Sequence, residues 1–341
     1  MEKIHRGECV TLPVNDSRRA WVQLIYSGSD ITADVSGDLL SFGYEDNAEG
    51  NADTISVSLI NRSRKWIGGW MPEKNQQMSA TIHGFNGTLA CGSFLVDTIS
   101  GSAPPWTASI GGISMPSDTD FTDVKQSRSW EEATVSEIVS SIAQSYGLSV
   151  VFDSSLNPQI PFLEQSETED MSFISQVCED YGLCVKMYSN RVVVYNGPEY
   201  ERRGAVMTLT ESNIKSISYT IKETDTDYTG CTVSYTRQDG ETIEYTYRTG
   251  ADRREKLLKS NQTVESVAQA QLLGQAMVWR KNKEAVTATV ELMGNTGICS
   301  TACVQLAGFG ALSGKYFVDK VSHSLGGGYK TSLELHKVVT F

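Results

Sequence analysis

The stretch GSFLVDTIS at residues 92–100 has a near copy in GKYFVDKVS at residues 314–322. Both copies follow one pattern: Gly, any residue, an aromatic, an apolar residue, Val, Asp, any residue, a β-branched residue, Ser. The likeness extends outward on both sides, which favours duplication of a small β domain over chance convergence. The flanking segments that match are TIHGF (81–85) with QLAGF (305–309), and WTASI (106–110) with YKTSLEL (329–335).

The composition is typical of a multidomain globular protein. A chain of 341 residues with 40% hydrophobic and 21% charged residues predicts two or three domains with real cores. The formal net charge is −12, and no run of Lys or Arg stands out, so we expect no direct nucleic-acid recognition. No apolar stretch is long enough for a membrane span. Seven scattered cysteines and an N-terminus without an apolar core indicate a protein made in a reducing cytoplasm.

The middle of the chain changes from strand patterns to two helix-then-strand units. TVSEIVSSIAQSYGL (134–148) precedes the strand SVVFD, and DMSFISQVCEDYGL (170–183) precedes the strand CVKMY. Both helical segments have apolar residues at helical spacing and end in Tyr-Gly-Leu, with Gly147 and Gly182 as stops. A longer helix is predicted at residues 263–280.

These patterns predict a mixed β and α+β fold with three domains. Two β domains of one kind, at residues 1–126 and 201–341, flank an α/β insert domain at residues 127–200. The second β domain contains the long helix. The pattern leaves open that residues 201–222 return to complete the first β domain.

Four passages resemble the phage late control D proteins, the baseplate hubs of contractile tails, which are related to the N-terminal hub part of VgrG. The closest likeness is to short hubs of Gram-positive phage-tail-like particles. The last passage matches the family's closing hairpin with His323, Gly328, Tyr329, Thr331 and Leu333 in place. The four passages are residues 52–82, 130–152, 165–188 and 314–338.

The resemblance implies that the two β domains are tube-protein-like β-barrels or β-sandwiches. It also implies a structural hub rather than an enzyme, with no cofactor. The family's hubs are homotrimers that adapt the six-fold tail tube to the three-fold central spike, and two β domains in each of three chains would supply six similar faces. The implied partners are a hexameric tail tube or tube-initiator protein, the central spike, baseplate wedge components and the tape-measure protein. Assembly is expected in the bacterial cytoplasm, and the final place in the baseplate of a virion or tail-like particle. Because the sequence stops at Phe341, the piercing tip is expected to be a separate protein.

Two other functions stay open, a tail-associated peptidoglycan hydrolase and a VgrG-like hub of a secretion apparatus. For a hydrolase the chain offers His5, Glu8 and Cys9, for which an N-terminal arm is the favoured interpretation. Cys299 and Cys303 lack a second ligand pair at zinc spacing, so we expect two strand cysteines rather than a zinc site. His323 and His336 are too distant in sequence to supply that pair without a fold argument. The acidic stretch Glu164, Glu167, Glu169 and Asp170 is predicted to lie at a helix start. We therefore predict no catalytic and no metal-binding residues.

An interface is the site that the sequence does predict. Aromatic residues bunched in a Gly-containing loop are enriched where proteins meet, although the same residues could cap the first β domain. The repeated acids each follow Val in a strand and are expected at a strand edge or subunit contact rather than as a catalytic pair. The candidate interface residues are Trp66, Trp70, Met71, Asp97, Asp319, His323 and Tyr329.

Overall fold

The computed structural model describes residues 20–116, 120–236, 240–250 and 254–339. Its first third is a run of antiparallel strands in which alternate side chains are buried, as in Ile55, Val57 and Leu59. The elements are β1 (Trp21–Tyr26), β2 (Ser29–Asp30), α1 (Thr32–Ser36), β3 (Leu39–Asn47), β4 (Thr54–Ile60), a 3₁₀ turn (Lys65–Ile67), β5 (Gln77–Gly84), β6 (Gly87–Ser102) and β7 (Thr107–Ile113).

The middle of the chain contains the two predicted helix-then-strand units. The side chain of Thr134 accepts from the backbone of Glu137, and the Glu137 side chain accepts in return, which fixes the start of the first helix. The elements are α2 (Asp120–Asp123), β8 (Lys125–Thr134), α3 (Val135–Ser145), β9 (Ser149–Asp153), β10 (Gln159–Glu169), α4 (Asp170–Asp180), β11 (Cys184–Tyr188) and β12 (Arg191–Tyr195). The strands form two small sheets, β11-β12-β9 and β10-β8, and α3 and α4 share an apolar core with them.

The last part of the chain returns to strands, with one long helix among them. The helix predicted at 263–280 begins at Val267, where the Ser266 side chain accepts from the backbone of Gln269, and ends at Asn282. The elements are α5 (Gly197–Glu201), β13 (Ala205–Leu209), β14 (Ser216–Ile221), β15 (Gly230–Thr236), β16 (Thr242–Arg248), β17 (Leu257–Ser260), α6 (Val267–Asn282), β18 (Val286–Met293), β19 (Cys303–Leu306), a 3₁₀ turn (Gly310–Leu312), β20 (Gly314–Leu325) and β21 (Tyr329–Lys337).

Thirteen strands belong to one sheet, and within it one strand order occurs twice. The order β3-β4-β7-β6-β5 in the first half corresponds to β14-β18-β21-β20-β19 in the second, and every neighbouring pair in both sets is antiparallel. We call these sets the first and second β units. The mixed, β-rich fold predicted from the sequence is confirmed, and the repeated order explains the repeated stretch, which lies in β6 and β20.

The two copies of the repeated stretch also share an irregularity. In β6 the register against β7 shifts between Val96 and Thr98, and in β20 the register against β21 shifts between Val318 and Lys320. The residue left over in each bulge is the repeated acid, Asp97 or Asp319. A bulge turns the following residues relative to the partner strand, so the same sequence motif produces the same bend in both units.

The two β units are joined edge to edge through β3 and β20. The two strands are antiparallel, with Lys320 opposite Asn47 at one end of the paired segment and Leu325 opposite Phe42 at the other. The sheet therefore runs without interruption from one unit to the other. The path does not close within the described part of the chain, because it ends at β14 on one side and at β2 on the other. The described residues of one chain therefore form an open sheet and not a closed barrel.

Residues 201–222 do not return to the first β unit. β13 pairs with β19, and β14 pairs with β18, which are both strands of the second half. β14 is the first strand of the second unit, in the position that β3 holds in the first. A three-stranded sheet, β16-β15-β17, and α6 are inserted between β14 and β18, and they pack on each other around Cys231, Val233 and Leu273.

Candidate functional site

The predicted Trp-rich loop divides into a buried and an exposed part. Trp66 is 3% exposed, packs into the core of the first β unit and donates from Nε1 to Asp38 Oδ2 at 3.0 Å. Trp70 and Met71 are about half exposed, as is Ile67 beside them. Lys65 lies over both indole rings, 4.9 Å from Trp66 and 4.8 Å from Trp70. Trp66 thus acts as core, whereas Trp70 and Met71 form an exposed apolar patch.

The two repeated acids occupy equivalent bulges but have different surroundings. Asp97 is exposed and accepts a hydrogen bond from Thr98 Oγ1 at 2.8 Å. Asp319 is partly buried and contacts Nδ1 of His336 at 2.7 Å, while Nε2 of His336 lies 2.8 Å from Glu201 Oε1. Each acid has its own contacts in its own unit, which is not the arrangement of a catalytic carboxylate pair.

His336 lies between two carboxylates, which favour its charged form. Burial would lower the pKa of His336, but the charge of Asp319 and the hydrogen bonds to Asp319 and Glu201 outweigh it and raise the pKa above its ordinary value. The Nε1 group of Trp279 also donates to Glu201, at 2.6 Å. Because both ring nitrogens face carboxylates, His336 has no free nitrogen with which to activate a nucleophile.

His323 and Tyr329 lie at the junction of the two β units rather than at the surface. His323 is 2% exposed, its Nδ1 is 2.9 Å from the Tyr329 hydroxyl, and its ring stacks on Tyr44 of β3. Burial lowers the pKa of His323 to about 4, so the ring is neutral at physiological pH. These two residues act inside the chain, where they hold the two units together.

The residues proposed for other chemistry are separate from one another. Cys303 is buried in β19, but Cys299 lies outside the strands and is exposed, which corrects the expectation of two strand cysteines. Glu164, Glu167 and Glu169 belong to β10, and only Asp170 begins a helix. Within the described ranges no three His, Cys, Asp or Glu side chains could hold a metal ion. His5, Glu8 and Cys9 lie outside the described residues.

Asp170 is part of a buried hydrogen-bond network and not of an acidic surface. It accepts from Arg128, from Gln165 Nε2 at 2.7 Å and from the Tyr146 hydroxyl at 2.8 Å. Burial would raise the pKa of Asp170, but these hydrogen bonds outweigh burial and lower it. The carboxylate connects α4 to α3 and β8, so its role is structural.

A buried lysine, which sequence patterns did not single out, connects three parts of the chain. Lys186 of β11 donates to Asp46 of β3, to Asn47 O at 2.6 Å and to Ser300 Oγ at 2.9 Å. Asp53 lies 3.2 Å away. Burial would lower the pKa of Lys186, but the charges of Asp46 and Asp53 outweigh it and raise the pKa. The only available sequence signal was a charged residue in an otherwise apolar strand, CVKMY.

Two of the strand edges that have no partner within the described part of the chain belong to the two β units themselves. One is β14, where Tyr219 and Ile221 are 58% and 60% exposed. The other is the end of β6, because β5 pairs with β6 only as far as Leu95. Unpaired edges offer backbone donors and acceptors to another strand, so both are candidate sites for another chain.

A cleft of about 510 Å³ lies where α6, the middle sheet and both β units meet. Its basic residues are already paired: Arg280 lies 3.5 Å from both Glu49 and Glu179, and Lys283 lies 3.3 Å from Glu49. These ion pairs join the parts of the chain that form the cleft.

None of the helices in the described ranges is long and apolar enough to cross a membrane.

Comparison with known proteins points to phage tails. No family model matches the chain. A protein of Escherichia phage 186 described as a probable baseplate hub protein is 25% identical over 222 residues, which cover 63% of this chain. The match covers 54% of that relative, so this chain corresponds to about half of its length.

Solved structures support the same relationship at the level of fold. A tail protein from Neisseria meningitidis MC58 superposes with a TM-score of 0.74 and 13% identity, over 93% of this chain and 96% of that one. The E. coli c3393 protein, described as a component of the type VI secretion system, superposes with a TM-score of 0.55 and 11% identity, over 93% of this chain and 76% of that one. The resemblance of this chain to phage baseplate hub proteins is thereby confirmed, and its fold is similar to that of a tail protein and of a component of the type VI secretion system.

Proposed function

We propose that this chain is the structural hub of a contractile tail baseplate, a homotrimer that adapts a six-fold tail tube to a three-fold central spike. The observation that carries the proposal is the duplicated β unit, with the same strand order and the same bulge, joined edge to edge in one chain. Three chains then present six similar faces around one axis. The hub similarity of the phage 186 relative supports this assignment.

In this proposal the three predicted domains have separate tasks. The domains at 1–126 and 201–341 supply the tube-like ring, which becomes closed only when several open sheets assemble. The insert at 127–200 lies outside the ring strands and stiffens the hub through Lys186 and its partners. The partners in the particle are the tail tube or tube-initiator protein, the spike, wedge components and the tape-measure protein. The particle is assembled in the cytoplasm and carries the hub in its baseplate.

The exposed members of the predicted interface belong to this proposal as well. Trp70 and Met71 present apolar surface at the turn between β4 and β5, next to the exposed Ile67. Aromatic and Met side chains are enriched at protein interfaces, since they bury much area at low entropic cost. We assign these residues to contact with a neighbouring baseplate protein, and Asp97 to the contact between chains.

A second candidate function is a VgrG-like hub of a secretion apparatus, which the superposition on the E. coli c3393 protein favours. Both candidates use the same trimeric ring, and the neighbouring genes distinguish them. The peptidoglycan hydrolase remains the enzymatic alternative. The proposal of a non-enzymatic hub is supported by the structural roles of His336, Asp319 and Asp170, which are each engaged in buried networks.

The test is the native mass of the purified protein, alone and co-expressed with its neighbouring spike candidate. A species of three chains in either sample is the expected result. The same samples are assayed for cleavage of cell-wall material in a zymogram. A strict monomer in both samples would contradict the hub, and a monomer that also cleaves cell wall would favour the hydrolase.

A further inference from the structure

The equivalence of the two β units can be followed residue by residue through the strand pairs. The repeated stretch aligns Ile99 of β6 with Val321 of β20. Ile99 faces Ile110 and Val321 faces Leu333, so these two partners correspond as well. The next strands continue the correspondence, because Val57 faces Ile110 and Val290 faces Leu333.

The last step aligns β3 with β14. Phe42 faces Val57, and Ile217 faces Val290, so Ile217 stands in the second unit where Phe42 stands in the first. In this alignment SFGYE (41–45) falls on SISYT (216–220), and Tyr44 corresponds to Tyr219. The sequence agreement was not used to build the alignment and supports it independently.

The surroundings of the two tyrosines differ in one respect. Tyr44 is 2% exposed, because β20 covers the edge of β3 and His323 stacks on the tyrosine ring. Tyr219 is 58% exposed, because no described strand of this chain lies on that edge of β14. The second unit thus lacks the neighbour that buries the equivalent strand of the first.

The missing neighbour has an equivalent in β6. The segment of β20 that covers β3 is Lys320–Leu325, which corresponds to Thr98–Ala103. This segment pairs with β7 on one edge, and its other edge is unoccupied among the described residues, since β5 ends its pairing at Leu95. Within one chain β14 and this edge of β6 are at opposite sides of the sheet path, so a second copy must bring them together.

We infer that β14 of one copy adds to the free edge of β6 in the next copy, in the register that β3 and β20 adopt within one chain. This inference rests on the proposed trimeric hub, which it supplies with a defined contact. The contact is heterologous, so repeating it generates a ring if the rotation closes. The expected antiparallel pairs are Thr98 with Lys222, Ile99 with Ile221, Ser100 with Thr220, Gly101 with Tyr219, Ser102 with Ser218, and Ala103 with Ile217.

The side chains on the two edges are compatible with this register. Ile221, now exposed, meets the partly buried Ile99 directly across the strands, where apolar pairs stabilise a sheet. Tyr219 faces Gly101, which leaves space for the ring. Lys222, whose ammonium lies 3.0 Å from Glu284 within one chain, comes next to Asp97, so this ion pair would extend to the bulge acid of the first unit.

Cysteine cross-linking tests the register. The variant carries Ser100→Cys and Thr220→Cys, both at exposed positions, in a background with Cys9→Ser and Cys299→Ser. Cys299 is exposed, Cys9 lies outside the described residues, and the remaining five cysteines are buried. The matched control carries Ser100→Cys and Ser218→Cys, which shifts one position along the same face and exceeds the distance that a disulfide spans. The assembled full chain is oxidised and run without reductant. We expect bands of two and three chains for the first pair and loss of these bands for the control.

The outcomes separate the register from the function. A trimer by native mass that fails to cross-link with the first pair, or cross-links better with the control, overturns the inference and leaves the hub intact. Absence of any trimer contradicts the hub itself. Hydrogen exchange on the unsubstituted chain gives a second measurement: amides at 98–102 and 216–221 should gain protection in the trimer relative to the dilute monomer. Unchanged exchange at both segments in a trimer would overturn the inference.

Discussion

The ammonium of Lys186 lies among oxygen atoms that come from distant parts of the sequence. Asp46 and Asn47 end the strand that joins the two β units, Ser300 belongs to the second half, and Lys186 itself lies in the middle sheet. The charge is buried, and its carboxylate partners are buried with it. Removing one member of such a cluster leaves the others without a counter-ion in a low-dielectric interior.

Replacing Lys186 with Met should therefore destabilise the protein by about 3 to 5 kcal/mol. The Met side chain fills a similar volume, but Asp46 and Asp53 lose their cation. The measurement is the free energy of unfolding in urea. Lys74→Met is the matched control, because Lys74 is exposed and such changes usually cost less than about 0.5 kcal/mol. Equal stability of the two variants would contradict the structural role of Lys186.

Two buried histidines in the second β unit should respond to pH in opposite directions. His323 is neutral with its pKa lowered to about 4, while the carboxylates around His336 raise its pKa. When folding lowers the pKa of a histidine, the folded state keeps its full stability above about pH 6.5, where the ring is neutral in both states. This stability is lost as the pH falls towards the pKa of the folded state, because only the unfolded state takes up the proton. When folding raises the pKa of a histidine, the folded state has its full stability below about pH 6.5. This stability is lost as the pH rises through the pKa of the folded state.

The pH dependence of unfolding in two variants checks this pair. Relative to the His323→Gln variant, the free energy of unfolding of the parent protein should fall by on the order of 3 kcal/mol between about pH 6.5 and 4. Relative to His336→Gln, the parent should instead lose stability on the alkaline side. Each variant is the control for the other, since both replace a buried ring in β20 or β21 by an amide. Parallel pH profiles for the two variants would refute the assignment.

The helices of the middle region show how an element can be specified locally. α3 and α4 each end before a Tyr-Gly-Leu sequence, and their glycines have φ values of +66° at Gly147 and +76° at Gly182. Residues with a Cβ rarely adopt this left-handed conformation, so the glycine ends the helix and turns the chain into the following strand. Because the apolar residues at helical spacing and the glycine that ends the helix lie in one short stretch, both helix–strand units could be predicted from the sequence.

Substituting either stop glycine by Ala should destabilise the protein by about 1 to 2 kcal/mol, because the cost comes from the positive φ. A Cβ at Gly147 meets nothing within 4 Å, and one at Gly182 makes only ordinary contact with Ala276 at 3.5 Å. Thermal and urea unfolding measure the loss. Gly204→Ala is the control, since Gly204 lacks a positive φ and also has open space. A control that loses as much as the stop variants would show that φ is not the cause.

Elements that depend on distant partners were less predictable. The acidic residues before α4 have the composition of a helix start, yet cross-strand pairing with β8 keeps Glu164 and Glu169 in a strand, and Glu167 lies in the bulge between them. The membership of residues 201–222 likewise depends on which strand pairs with β14, and alternation along a strand does not specify its partner. The predicted bounds at 126 and 200 remain predictions for the same reason.

At the scale of the whole molecule, the duplication was visible in the sequence because each β unit forms its bulge with the same short motif, around Asp97 in one unit and Asp319 in the other. The junction of the two units was not visible, since it depends on β3 and β20 meeting across more than half of the chain. The Trp-rich loop was only half predictable: its composition suggests an interface, but burial separates Trp66 from Trp70. The open edges of β14 and of the end of β6 come from distant segments, so no single stretch of sequence encodes the pair.

A charge placed on the open edge of β14 should prevent assembly without unfolding the chain. Ile221 is 60% exposed in one copy, so Ile221→Asp should change the stability of the monomer little. In the proposed ring the same side chain is buried against Ile99, where an unpaired carboxylate is costly, and the trimer should be lost. Val267→Asp is the matched control, because Val267 is also β-branched and 52% exposed but lies at the start of α6. Native mass and circular dichroism measure the two effects, and a trimer that tolerates Ile221→Asp as well as Val267→Asp would mean that the chains meet elsewhere.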